Sequence, residues 1–151
     1  MLRLVVFVAL SVGGMVCAVG AENRTAPTAV QLARNGRALL PIVVGETAGD
    51  RTKLAAATLA DYLNKIVGAP FQVIRGNGRE GLAIGLPQDF PDLPFRSPWQ
   101  KSDPTQREDY VLRSHDKGVW LLGSTEQAVE HAVWDFLHRL GYRQFFPGPT
   151  W

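Results

Sequence analysis

Val129, Ala132, Val133, Phe136, Leu137 and Leu140 recur at steps of 3, 1, 3, 1 and 3. That spacing lines side chains along one flank of an α-helix. Ser124 and Gln127 ahead of the stripe have the form of an S-x-x-Q capping box, and Gly141 behind it supplies a stop. On the opposite side Asp135 and Arg139 stand four apart, a solvated pair contributing about 0.3 kcal/mol. Burial of each large residue of the stripe contributes roughly 1.5–3 kcal/mol before entropy. The stripe therefore fixes this helix, and the helix requires an apolar surface to cover.

A second stripe has the same period. Ala55, Leu59, Tyr62, Leu63 and Ile66 share one flank of a helix expected over residues 50–67, with Asp50 as N-cap and Gly68 as the left-handed stop. Elsewhere the pattern is that of strands. Residues 29–33 and 37–44 flank Asn35-Gly36, a strong hairpin signal, and Pro41 places the second run at a sheet edge or a bulge. Residues 71–75 and 82–86 read as a second strand pair about Gly76-Asn77-Gly78, and residues 109–113 and 119–122 as a third about residues 115–118. Pro87, Pro91, Pro94, Pro98 and Pro104 make residues 87–107 a long loop. Phe90, Phe95 and Trp99 within it are poor residues to leave in water. The order predicts an α/β (α+β) two-layer sandwich: a mainly antiparallel sheet of about six strands with both helices on one face.

The first 21 residues stand apart. Arg3, the apolar run at residues 4–10 and the small-residue exit Val19-Gly20-Ala21 have the grammar of a signal peptide, which makes 22–151 the mature domain of a secreted or periplasmic protein. The alternative is a membrane anchor, since residues 4–21 carry no charge and are just long enough to span a bilayer. Val16 before Cys17 disfavours a lipoprotein site, and removal of Cys17 with the leader leaves no cysteine for a disulfide or a thiolate. Residues 22–151 hold 15 basic and 14 acidic side chains, interspersed. Such a balance lacks the footprint of a nucleic-acid binder and gives no attraction to an anionic membrane.

Motifs with chemical meaning reduce to structural readings. Gly76-Asn77-Gly78-Arg79-Glu80-Gly81 matches G-x-G-x-x-G, but a strand follows where a dinucleotide site needs a helix, so the glycines read as turn residues and no cofactor is expected. His131 and His138 are seven apart, about 10 Å along a helix, with no third ligand beside them, and His115 falls in a turn; no metal is expected. Asp61, Glu108, Asp109 and Asp135 are the carboxylates available for glycoside hydrolysis, yet each is explained by capping or solvation. Ser114-His115-Asp116 is contiguous, whereas a catalytic triad is assembled in space. No catalytic residue is assigned. Tyr142, Phe145, Phe146 and Trp151 crowd the last ten residues, which is expected of a domain cut where the polypeptide enters its next one.

Residues 54–149 resemble the N-terminal domain of glycoside hydrolase family 67 α-glucuronidases, and more closely the related region of secreted bacterial proteins that carry domain of unknown function 4838. The resemblance rests on Ala56, Leu59, Tyr62, Leu63, Lys65, Ile66 and Gly68, on Leu82-Ala83-Ile84-Gly85, on Asp109-Tyr110-Val111-Leu112 and on residues 118–123. Its most specific stretches are Ala132-Val133-Trp134-Asp135-Phe136-Leu137, Leu140-Gly141-Tyr142-Arg143 and Phe145-Phe146-Pro147-Gly148. Gln144 departs from the aromatic residue common after the family's arginine, and residues 22–50 match only loosely. The resemblance implies a non-catalytic accessory domain, similar also to the one preceding the barrel of β-hexosaminidases. The catalytic carboxylates would lie in a following (β/α)8 barrel of the same chain, on which Arg143, Phe145, Phe146 and Trp151 would dock.

Two readings of function follow. One is the leading domain of a secreted polysaccharide-degrading hydrolase with the following barrel as partner. The other is a stand-alone secreted module that grips glycan by stacking Phe95, Trp99 and Trp120 on the apolar faces of sugar rings.

Overall fold

The structure, a computed structural model, describes residues 3–6, 29–96, 99 and 104–143. The Asn35-Gly36 hairpin forms as expected: β2 (Val30–Arg34) and β3 (Arg37–Ala38) pair antiparallel, with Asn35 and Gly36 at φ of 51° and 71°. Both residues adopt the left-handed conformation that a tight two-residue turn demands. A further strand, β1 (Arg3–Val6), runs antiparallel along the other side of β2. It lies within residues 1–21, the segment expected from the sequence to be a leader.

The principal sheet contains β4 (Ile42–Val44), β5 (Val73–Arg75), β6 (Gly81–Gly85), β7 (Tyr110–His115) and β8 (Gly118–Gly123), in the order β5-β4-β6-β8-β7. Every neighbouring pair in it is parallel except β7 with β8. This corrects the expectation of a mainly antiparallel sheet. It also moves Pro41: the run at 37–44 breaks ahead of it, and β4 lies in the sheet interior, flanked by β5 and β6. Proline is tolerated there because it precedes the strand and needs only its carbonyl, which accepts from Leu82 N at 2.8 Å. The expected pairing of residues 71–75 with 82–86 is likewise replaced, because β4 lies between them.

The helix between β4 and β5 explains the parallel order. α1 (Asp50–Val67) has 18 residues, about 27 Å of rise, enough to carry the chain back so that β5 starts beside the start of β4. From β5 the chain steps back across β4 to β6 through residues 76–80. Parallel crossovers share one hand, so a step in the reverse direction must use the opposite face of the sheet. It does: a Cβ at Gly78, where φ is +70°, would lie 2.7 Å from Phe90 and 3.1 Å from Ala83, on the face away from the helices. Gly76 to Gly81 is thus a crossover and opens no helix.

α2 (Glu126–Arg139) follows β8 and lies beside α1. Both caps fall one residue from expectation. Gly49, not Asp50, is the N-cap of α1; Thr125, not Ser124, caps α2, its Oγ1 accepting from Ala128 N at 3.2 Å. Ser124 Oγ donates instead to the Gln106 carbonyl, pinning the end of the long loop. Gly68 stops α1 in the left-handed conformation, at φ 74°.

Alternate strand residues serve two cores. Ile42, Val44, Leu82, Ile84, Val119 and Leu121 meet Ala55, Ala56, Leu59 and Leu63 of α1 and Val129, Ala132, Val133, Phe136 and Leu137 of α2, as the two stripes require. On the far face Val43, Ala83, Trp120 and Leu122 pack with Phe90, and Leu93, Phe95 and Trp99 close over them. The proline-rich loop is therefore the cover of the second face. Among the described residues no helix is long and apolar enough to cross a membrane.

Candidate functional site

Three places on the fold gather side chains with chemical potential. The first lies under the proline-rich loop. Trp120, on β8, is 6 % exposed, and its Nε1 donates to the Gly78 carbonyl at 3.0 Å, so the ring is fixed by the crossover. His115, at the end of β7, stacks on it with centroids 4.0 Å apart and 17° between planes, and Phe95 contacts it at 5.2 Å. Arg113 lies over the Phe95 ring, 4.9 Å from its centroid. Phe95, Trp99 and Trp120 are thus brought into one cluster. Beside it is a cavity of ≈ 240 Å³ lined by Asn77, Arg79, Asp92, Pro94, His115 and Trp120 among others.

Within that cluster His115 Nε2 is buried with no hydrogen-bond partner among the described residues, while Nδ1 accepts from Lys117 N at 3.4 Å. Burial pushes the imidazole below its ordinary pKa, against the smaller opposing effect of Asp116. The side chain belongs to a strand, where the sequence placed a turn. Trp120, held between its neighbours, is a core residue in this conformation. A sugar ring would reach its face only if the segment carrying Phe95 lifted.

The second place is the cleft at the carboxyl ends of β4 and β8, where both helices begin. Its volume is ≈ 520 Å³, and Arg51, Thr105, Arg107, Glu108, Thr125 and Glu126 line it. The Glu126 carboxylate lies against Gly49, so close that any Cβ there would meet it. A negative charge is thereby set at the N-terminus of α1, favourably for the helix dipole. Arg51 and Glu130 form a two-pronged pair, with both contacts at 2.9 Å, that joins the helices. The hydrogen bond raises the Arg51 pKa and lowers that of Glu130. Nearby, Asp89 accepts from Thr47 Oγ1 at 3.0 Å and from Leu86 N at 2.8 Å, tying the loop after β4 to the loop after β6. Asp89 carried no signal in the sequence. Its role depends on Gly45 and Gly85, at which a Cβ would lie 2.6 and 2.8 Å from it.

The third place is where the described chain ends. Tyr62 of α1 packs edge to face against Trp134 of α2 and Tyr142 beyond α2, and the last two are tilted at 36° to each other. Their centroids are 5.3 Å apart for Tyr62 and Trp134, 4.9 Å for Tyr62 and Tyr142, and 5.7 Å for Trp134 and Tyr142. A hydrogen bond with Tyr62 raises the Tyr142 pKa. Trp134 is 40 % exposed, while Tyr62 and Tyr142 are partly buried against the helix-side core. Arg143 folds back on the helix, its Nη1 donating to the carbonyls of His138 and Tyr142 at 2.5 and 2.7 Å. Phe145, Phe146 and Trp151, expected to act with Arg143, lie outside the described residues. The helical period pointed to Tyr62 as a stripe residue, but Trp134 sits at the margin of its stripe and was not visible as a partner.

Of the carboxylates weighed for hydrolysis, Asp61 is paired with Lys65 at 2.7 Å and Asp135 with Arg139 at 2.9 Å. Among the described residues no three His, Cys, Asp or Glu side chains gather as a metal site. The fold and these clusters define an α+β domain with one helix-covered and one loop-covered sheet face. Neither the models of known protein families nor the curated proteins give a match to this chain.

Proposed function

We propose that the chain is the leading, non-catalytic domain of a secreted carbohydrate-active enzyme of α-glucuronidase type, acting in the breakdown of xylan-like polysaccharides. The observation that carries the reading is the aromatic cluster. Tyr62, Trp134 and Tyr142 come from three separate stretches on which the resemblance rests, and they meet at one spot beside the chain's exit from α2. An exposed Trp134 backed by two partly buried tyrosines suits a surface against which a following domain rests. In this reading hydrolysis belongs to a (β/α)8 barrel further along the chain, and the leader directs export.

The test is to read the coding sequence past Trp151 and assay the complete product on glucuronic-acid-substituted xylan fragments. A barrel-length continuation whose product releases glucuronic acid is expected. An intact genomic stop codon directly after Trp151 sinks the proposal. The alternative, a stand-alone glycan-binding module, draws on the convergence of Phe95, Trp99 and Trp120. Titration of the purified chain with xylan, pectin and chitin fragments in a calorimeter distinguishes it, since only that reading expects heat of binding.

A further inference from the structure

We infer that Asn35 is a site of spontaneous modification, at which the Gly36 backbone nitrogen displaces the side-chain amide, and that the fold withholds the same reaction from the second such pair, Asn77-Gly78. The inference is independent of the proposed function. The step forms a bond from Gly36 N to Asn35 Cγ and breaks the Cγ–Nδ2 bond. Nδ2 leaves as ammonia, taking up the proton lost by the Gly36 amide, and a succinimide ring remains. Water then opens the ring at either carbonyl, leaving aspartate at position 35 or an isoaspartyl link whose main chain is one carbon longer. Glycine is the follower that permits this, because it has no Cβ to obstruct the closing ring. Asn35 and Asn77 are both followed by Gly and then Arg, so the sequence alone ranks them equally.

Three observations separate them. Asn35 and Gly36 are exposed, a Cβ at Gly36 would meet nothing within 4 Å, and the Asn35 amide has no hydrogen-bond partner among the described residues. The hairpin is also lightly held: β3 has two residues, which pair with β2, and the Leu39 N bond to the Leu32 carbonyl at 2.9 Å closes the ladder. Short, exposed ladder ends open at a fraction of the global unfolding cost, so Asn35 leaves its turn conformation while the domain stays folded. Third, Arg34 and Arg37 face each other across the ladder, with no ion pair to either among the described residues. Like charges so placed weaken the hairpin. Ring closure, however, passes through an anion, on the deprotonated Gly36 nitrogen and then on Asn35 Oδ1, which nearby guanidinium groups stabilise. At the second pair each condition is reversed. Asn77 Oδ1 accepts from Arg79 N at 3.1 Å, the Gly78 carbonyl accepts from Trp120 Nε1 at 3.0 Å, and Gly78 is buried against Phe90 and Ala83. Arg79 is paired with Asp92 at 3.0 Å. Closing a ring there requires the crossover to lift off the far-face core.

The experiment incubates the purified full chain at mildly alkaline pH, with and without urea, and follows both sites by peptide mass mapping and by enzymatic detection of isoaspartate. In the folded chain residue 35 is expected to convert about tenfold or more faster than residue 77, a ratio set by the difference between local and global opening. In urea the two rates should converge. Arg34→Gln/Arg37→Gln is expected to slow conversion at residue 35 several-fold, with residue 77 as internal reference and circular dichroism of the same samples confirming that the chain is folded. Equal rates at the two sites in the folded parent overturn the inference, and so does an Asn35 amide that persists there while reacting in urea. That comparison needs no variant. An unchanged rate at residue 35 in the folded double variant overturns the part assigned to the arginines.

Discussion

Replacing Phe90 tests whether the loop-covered face is a true core. Phe90 is 1 % exposed and packs with Val43, Ala83, Trp120 and Leu122, and Phe136 on the helix side is 0 % exposed. A buried phenylalanine removes roughly 150–250 Å² from water, worth about 4–6 kcal/mol at ~25 cal/mol per Å². Truncation to alanine retains the methyl and leaves a partly relaxed cavity, so Phe90→Ala and Phe136→Ala should each cost about 3–5 kcal/mol. Against a total stability of roughly 5–15 kcal/mol either change is severe. With a urea slope near 2 kcal/mol/M the midpoint falls by about 2 M. Equilibrium unfolding followed by circular dichroism gives both numbers, and tryptophan emission reports on Trp120 in the same samples. A loss below about 1 kcal/mol for Phe90→Ala, with the full loss for Phe136→Ala, would refute the two-core account and make the far face a surface that merely carries a loop.

Other perturbations separate further claims. Thr125→Ala removes the N-cap acceptor of α2 and the hydroxyl that donates to the Arg107 carbonyl; a loss of about 1–2 kcal/mol in the same unfolding assay is expected. Thr52 Oγ1 is fully buried with no hydrogen-bond partner among the described residues, so Thr52→Val should leave stability unchanged or raise it by about 1 kcal/mol. A clear loss there would mean that the hydroxyl has found a partner. Because burial lowers the His115 pKa from 6.5, the unfolded chain binds the proton more readily than the folded one. Stability is then full above the ordinary histidine value and falls as pH drops toward the depressed one. Denaturation midpoints across that window should decline in the parent chain and flatten in His115→Gln; equal slopes would show that His115 is not the group responsible.

Both helices were legible in the sequence because a packed stripe leaves its period in the residues. The Asn35-Gly36 hairpin was equally legible, since two consecutive left-handed residues leave few alternatives to that dipeptide. Strand direction was harder to read. Gly76-Asn77-Gly78 has the composition of a hairpin turn, yet here it crosses a strand, and only the placement of β4 between β5 and β6 distinguishes the two. One signal was present: Ile42-Val43-Val44 and Leu82-Ala83-Ile84 are apolar without alternation, as strands covered on both faces are, whereas edge strand β7 alternates in part. The site was less legible. Phe95, Trp99 and Trp120 fall in one cluster, but that Trp120 stacks on His115 depends on the β7–β8 register, which pairs Arg113 with Trp120 and His115 with Gly118. Asp89 and Trp134 act through partners more than forty residues away or on another helix, and no local pattern encodes such contacts.

The strand order has a consequence for how the polypeptide matures. β4 is made first among the principal strands, yet its ladder partners are β5 and β6, and β6 in turn awaits β8, which is completed at Gly123. A nascent chain emerging at roughly 5–20 residues per second thus holds its earliest strand without a finished sheet until most of the domain has been synthesised. Such nonlocal closure slows folding and leaves the completion of the sheet to the last third of synthesis.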